Sequence, residues 1–132
     1  MKITASWFKR NSSWSAVRRW TLSHYPDGVQ ASELIKTLWD EYRSWAAWIV
    51  VRWPDAPKAL VERLAGDADW RVRVIIAQRP RLSAALVKQL AGDTEWEVRI
   101  IIAERPRLSA TLVKRLAEDT EWDVREAIAR RS

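Results

Sequence analysis

The sequence predicts an all-α fold assembled from repeated pairs of short helices, and three observations carry that prediction. The chain repeats itself. At a constant offset Pro54, Pro80 and Pro106 align, as do Trp70, Trp96 and Trp122, and Arg73, Arg99 and Arg125. Residues 80–105 and 106–131 share 19 of 26 positions, and residues 54–79 share 15 of 26 with the unit that follows. A fixed period between about 20 and 50 residues marks a solenoid, whose units bury their apolar faces only against their neighbours. Within each unit the apolar spacing is helical, and no segment alternates as a strand would. Prolines recur at the unit boundaries, where a helix must stop.

The elements follow in chain order. Residues 1–25 form a basic, Trp-rich N-terminal cap, in which Val17 and Arg18 precede Pro26 much as Val98 and Arg99 precede Pro106. Residues 26–53 form a degenerate repeat, with Leu34, Leu38 and Trp48 at the positions of Leu86, Leu90 and Ile100. Three clean units follow at 54–79, 80–105 and 106–131, and residues 1–132 read as one solenoid domain. In each clean unit LVxxLA has apolar residues at i, i+1 and i+4, and Ser83 or Ser109 stands ready to cap it. The following DTEWEVRIIIAER opens with Asp93 and Thr94 as candidate caps, places acid in its first turn, and lines up Val98, Ile101 and Ile102 until Pro106. With both helices in one short unit, the second is read as the longer, and its partner as a turn or two of α or 3₁₀ helix. Ser132 falls where the next unit proline would stand, so the chain is expected to end on a repeat boundary.

The unit DxxWxVRxxIAxRPxxxxxLVxxLA resembles the variant leucine-rich repeat (LRV) and, more distantly, the HEAT repeat, whose DxxxxVRxxxA signature it shares. The resemblance covers residues 54–132 well and 26–53 loosely. It implies a right-handed superhelix alternating α-helices with short 3₁₀ helices. A founding member of the variant family carries an iron–sulfur cluster on a Cys-bearing segment, and this chain has no Cys to hold one. Such repeats serve many partners, so the resemblance implies a fold and leaves the function open.

The repeated residues divide into scaffold and candidates for contact. Asp67, Asp93 and Asp119 each precede Arg73, Arg99 and Arg125 by the same short interval. We read them as a structural ladder, as in HEAT-like repeats, because a half-buried charge must be paired. Trp70, Trp96 and Trp122 are read as indoles stacking from unit to unit. The position two after the repeat Val is apolar in Trp48, Val74 and Ile100 and polar in Glu126. It lies nearly opposite the inward face, so the column either lines a contact surface or is core in a sandwiched helix. With Trp39 and Trp45 it supplies the candidate protein contacts.

Net charge is +6, with 23 Lys and Arg against 17 Asp and Glu and a pI near 10.2. Residues 1–53 hold 8 basic and 4 acidic residues, and 54–132 hold 15 and 13. The excess therefore belongs to the N-terminal part, where Lys9, Arg10, Arg18 and Arg19 alternate with Trp7, Phe8, Trp14 and Trp20 and no acid occurs before Pro26. Arg79, Arg81, Arg105 and Arg107 flank the unit prolines as R-P-R corners. These eight cations are the candidate nucleic-acid contacts, through phosphates and stacking. The alternative is an amphipathic cap and a solvated loop.

The absence of Cys removes disulfides and thiolate chemistry, and a lone His24 leaves zinc and Ser-His chemistry little material. Three Gly with no phosphate loop or dinucleotide fingerprint argue against nucleotide sites of those kinds. We expect no catalytic residue, metal or cofactor, and no small-molecule substrate. The N-terminus has no apolar secretory core and no apolar run reaches a membrane span, so a cytoplasmic setting is expected and a membrane-surface role is not. The leading expectation is a non-catalytic module binding a protein partner or a second copy. Sequence-independent nucleic-acid binding is the alternative. A fragment of a HEAT-like DNA glycosylase comes a distant third.

Overall fold

The computed structural model describes residues 1–11 and 14–131. Ser132, with its expected place at a repeat boundary, lies outside the described residues. The chain is mostly helical, with packing between successive helices, and divides into two compact units, Met1–Pro54 and Asp55–Ser132.

In the first unit β1 (Lys2–Ile3) leads into α1 (Ala5–Asn11) and α2 (Ser15–His24), and β2 (Val29–Gln30) into α3 (Ala31–Leu38) and α4 (Arg43–Val51). The two short strands correct the expectation of no strand. They pair antiparallel, Lys2 with Gln30 and Ile3 with Val29, and each is too short a run for alternation to show. Gly28, at φ +96°, makes the turn before β2, and a Cβ there would lie 2.9 Å from the Ile3 carbonyl oxygen. The segment read as an N-terminal cap is thus paired through β1 with the segment that follows it. Helix α3 buries Ala31, Leu34, Ile35 and Leu38 along one stripe. Helix α4 buries Ala46 through Val50, nearly all round.

In the second unit α5 (Lys58–Ala65), α7 (Ala84–Ala91) and α9 (Ala110–Ala117) form one layer, and α6 (Trp70–Ala77), α8 (Trp96–Ala103) and α10 (Trp122–Ala129) the other. Each helix packs on its sequence partner and on its neighbours in its own layer. All six are α-helices of equal length, which corrects the expectation of a long helix alternating with a short or 3₁₀ one. The acidic stretch before each Trp explains the difference. Asp93 and Asp119 do not cap α8 and α10; each accepts the N–H two positions on, from Glu95 and Glu121 at 2.9 Å, and so spends the segment on an Asx turn. Ser83 and Ser109 do cap, accepting from Leu86 N and Leu112 N at 3.2 Å. The core between the layers is aliphatic, with Leu64, Ile76, Leu90, Val98, Ile102, Leu116 and Val124 at 0–1% exposure. Among the described residues no helix is long and apolar enough to cross a membrane.

Candidate interaction surfaces

The regularly spaced Asp and Arg form a ladder, and the partner is the Asp of the next helix pair. Arg73 donates from Nε and Nη2 to Asp93 at 2.8 and 3.0 Å, and Arg99 does the same to Asp119 at 2.7 and 3.0 Å. Each Nη1 turns back to the carbonyl of the preceding Asp, from Arg73 to Asp67, Arg99 to Asp93 and Arg125 to Asp119. One guanidinium therefore fastens its own turn and the next. The Asp119 hydrogen bonds raise the Arg99 pKa further, against the opposing effect of burial. Burial pushes the Asp119 carboxyl up, but hydrogen bonds from Arg99 and the Glu121 N–H and nearby cations outweigh it and hold it low. These side chains are used up in scaffolding.

The R-P-R corners split into two kinds of arginine. Arg105 donates to the carbonyls of Ala77, Arg79 and Pro80 at 2.9, 2.8 and 3.1 Å, and Arg131 repeats this with Ala103, Arg105 and Pro106. Arg79 is buried at 6% exposure, donates to the Arg81 carbonyl, and has its pKa lowered by burial and by Arg81. This corrects the reading of Arg79 and Arg105 as phosphate contacts, since their donors are committed to backbone oxygens that would otherwise lack partners. Arg81 and Arg107 remain exposed.

Two aromatic expectations are also corrected. Trp70 and Trp122 are 38% and 62% exposed and Trp96 is half-buried; the ring contacts among the described residues include none of the three, so no indole column runs through the second unit. Each opens a helix at its first position, where the side chain projects over the preceding turn instead of into the layer below. Trp48 is core, not contact surface. It is 9% exposed, lies 5.8 Å from Trp7 and 6.4 Å from Phe8, and carries the Arg52 guanidinium 3.9 Å above its ring. Val74 and Ile100 are half-buried, and Ile100 lines a groove of about 570 Å³ between α8 and α10 with Ala103 and Ala127, rimmed by Glu104, Asp123, Glu126 and Arg130.

In the first unit the rings make a continuous path from core to surface. Trp48 contacts Trp14 at 6.4 Å, Trp14 contacts Trp45 at 6.2 Å, and Trp45 stacks on Tyr42 at 4.3 Å and meets Trp20 at 6.3 Å. His24 stacks on Trp20 at 4.1 Å. Trp14 is 36% exposed, while Trp45, Tyr42 and Trp20 are half-buried. Trp39 is half-buried beneath the Arg43 guanidinium at 5.0 Å. Lys9, Arg10, Arg18 and Arg19 are all exposed, while Trp7 and Phe8 are buried.

Sequence reasoning missed Arg131, although it stands one repeat after Arg105, and it missed Tyr42; Trp14 it weighed as a base-stacking or cap residue, not as an outer ring of an aromatic path. The exposure of these rings depends on how α2 meets α4, which no local spacing encodes. No protein-family model, no curated protein and no solved structure matches the chain.

Proposed function

We propose that the chain is a non-catalytic module that binds another protein, with a short helical solenoid of repeated helix pairs as its second part. The observation that carries the binding is the aromatic path of the first unit, which leaves Trp14, Trp45, Tyr42 and Trp20 partly open to solvent and joined through Trp45. Rigid aromatic surface of this kind dominates the centres of protein interfaces and costs little side-chain entropy to order. Support for the solenoid comes from three recurrences. Helices start at Lys58, Ala84 and Ala110 and at Trp70, Trp96 and Trp122, the Arg–Asp ladder repeats atom for atom, and the corner arginines grip equivalent carbonyls. A variant leucine-rich or HEAT-like relationship fits that pattern.

The test is capture of partners from nuclease-treated extract by the full chain and by a chain with Trp14→Ser and Trp45→Ser. Partners retained by the first and lost by the second, with circular dichroism unchanged, support the proposal. Equal capture by both, from a chain that is monomeric by light scattering, overturns it.

A second reading, nucleic-acid binding, draws on the exposure of Lys9, Arg10, Arg18 and Arg19 beside Trp14, in a stretch without acid. It calls for affinity that falls steeply with salt and with charge reversal at these four positions. No binding to DNA or RNA at about 50 mM salt, where phosphate contacts are strong, removes it.

A further inference from the structure

Between α7 and α9 the second unit has a groove of about 620 Å³, within the roughly 300–1,000 Å³ of pockets that enclose small ligands or side-chain clusters. Its walls are apolar, from Leu82, Val87, Leu108 and Leu112. No acid lines it, whereas Lys88, Arg107 and Arg115 do. All three are exposed, and no carboxylate pairs with them among the described residues. Arg105 also lines the groove, but its donors are held by backbone carbonyls.

The neighbouring α5–α7 pair is charged differently, although Lys114 and Arg63 stand at the same two repeat positions elsewhere. The positions equivalent to Lys88 and Arg115 in the preceding unit hold Glu62 and Gln89, and Glu62 is paired with Lys58 at 3.7 Å. The groove between α8 and α10 likewise mixes acid with base. The α7–α9 groove instead combines an apolar floor with uncompensated cations. The Arg115 guanidinium reaches back to the end of α7, where a Cβ on Gly92 would overlap it, so Gly92 leaves it room.

From this complementarity we infer that the α7–α9 groove docks a short acidic segment of a partner protein, with large aliphatic or aromatic side chains on Leu82, Val87, Leu108 and Leu112 and carboxylates on Lys88, Arg107 and Arg115. The inference rests on the reading of the chain as a protein-binding module and adds a second surface to it. Apolar burial supplies the affinity. The three cations select carboxylate neighbours and repel basic ones.

A random-peptide phage library panned on the full chain tests this, with Lys88→Glu/Arg107→Glu/Arg115→Glu for counter-selection. The expected selection pairs Asp or Glu with Leu, Ile or Phe. A synthetic peptide from it, measured by fluorescence anisotropy, should lose at least about tenfold in affinity to the triple variant, since like charges now face each other. The milder Lys88→Gln/Arg107→Gln/Arg115→Gln chain should also weaken it, which keeps the test open if charge reversal disturbs folding. Gly92→Ala, which keeps every charge but displaces Arg115, should weaken binding by a smaller factor. Enrichment of acid-free peptides, no enrichment, or equal affinity for the Gln variant overturns the inference. So does competition by a DNA oligomer together with indifference to Val87→Asp, which would mark a bare anion surface. If Trp14→Ser/Trp45→Ser abolishes peptide binding while the groove variants do not, the groove is wrong and the first-unit surface stands.

Discussion

Replacing Asp119 by Ala should cost about 2–3 kcal/mol, and the figure follows from what the carboxylate holds. It accepts two bonds from Arg99, at 2.7 and 3.0 Å, and one from the Glu121 N–H at 2.9 Å. Removing one partner of a fully buried ion pair costs about 3–5 kcal/mol, chiefly because the other charge is stranded. Here the Arg99 and Asp119 side chains keep 14% and 9% of their exposure, and Arg99 retains the Asp93 carbonyl at 2.8 Å. Water can reach the stranded Nε and Nη2, which lowers the cost. The Arg73–Asp93 pair has closely matching bond lengths, 2.8 and 3.0 Å, so Asp93→Ala should cost the same within about 0.5 kcal/mol. The double variant Arg99→Met/Asp119→Leu removes both charges and should lie within about 1 kcal/mol of the parent, because apolar replacement of a buried pair is often neutral. The assay is urea unfolding followed by far-ultraviolet circular dichroism, fitted with separate transitions if the two units melt apart. A loss below about 0.5 kcal/mol for Asp119→Ala, the level of an ordinary surface change, would refute the ladder as a source of stability. A double variant as weak as the summed singles would refute the stranded-charge account.

Three further outcomes are expected. Because hydrogen bonding and cations hold the folded Asp119 carboxyl below its ordinary value, its stabilisation is complete above about pH 4, the unfolded value, and is lost as pH falls through the folded one. Asp119→Asn should therefore flatten the acid limb of the stability profile and leave the slope between about pH 5 and 8 unchanged; an unaltered acid limb would count against the pairing. Arg105→Ala should cost about 1.5–3 kcal/mol in thermal or urea unfolding, since it strips partners from three carbonyls, while Arg107→Ala stays within about 0.5 kcal/mol. Trp48→Ala should cost about 3–5 kcal/mol and collapse the near-ultraviolet dichroism, whereas Trp14→Ala should fold normally. Equal losses at the two would mean the ring path is all core.

The helices of the second unit were legible because every signal recurs. Ser83 and Ser109 announce two starts, Pro80 and Pro106 mark stops, and Leu86, Leu90, Val98 and Ile102 face inward as their spacing requires, while Ile101, read on the same face as Val98 and Ile102, is only half-buried. Helix lengths were less legible. The DTE segment reads equally as a first helical turn or as an Asx turn, and only the short reach of Asp93 and Asp119 to the N–H two positions on decides. The candidate sites fared by type. The Arg–Asp ladder follows from spacing because burial demands pairing, whereas Arg79 and Arg105 look identical in sequence to Arg81 and Arg107. Backbone at the corner separates them: the residue before each proline is turned inward to its carbonyls and the residue after it outward.

A repeat supplies its own control for function, and the first unit has none. In the second unit several recurring residues, Arg73 with Arg99 and Arg79 with Arg105 among them, have partners inside the fold. Recurrence alone does not mark scaffold, because Trp70 and Trp122, and Arg81 and Arg107, recur and stay exposed. Glu62 against Lys88 and Gln89 against Arg115 set the α7–α9 groove apart from its α5–α7 counterpart, although Lys114, Arg63 and Arg81 show that each cation also occurs in another copy. The combination of cations in one groove, more than any single position, thus points to the surface that can carry specificity. The first unit offers no second copy to subtract, so core and contact tryptophans look alike there. Trp48 and Trp14 part company only through geometry, one under Arg52 at 3.9 Å and the other open to water.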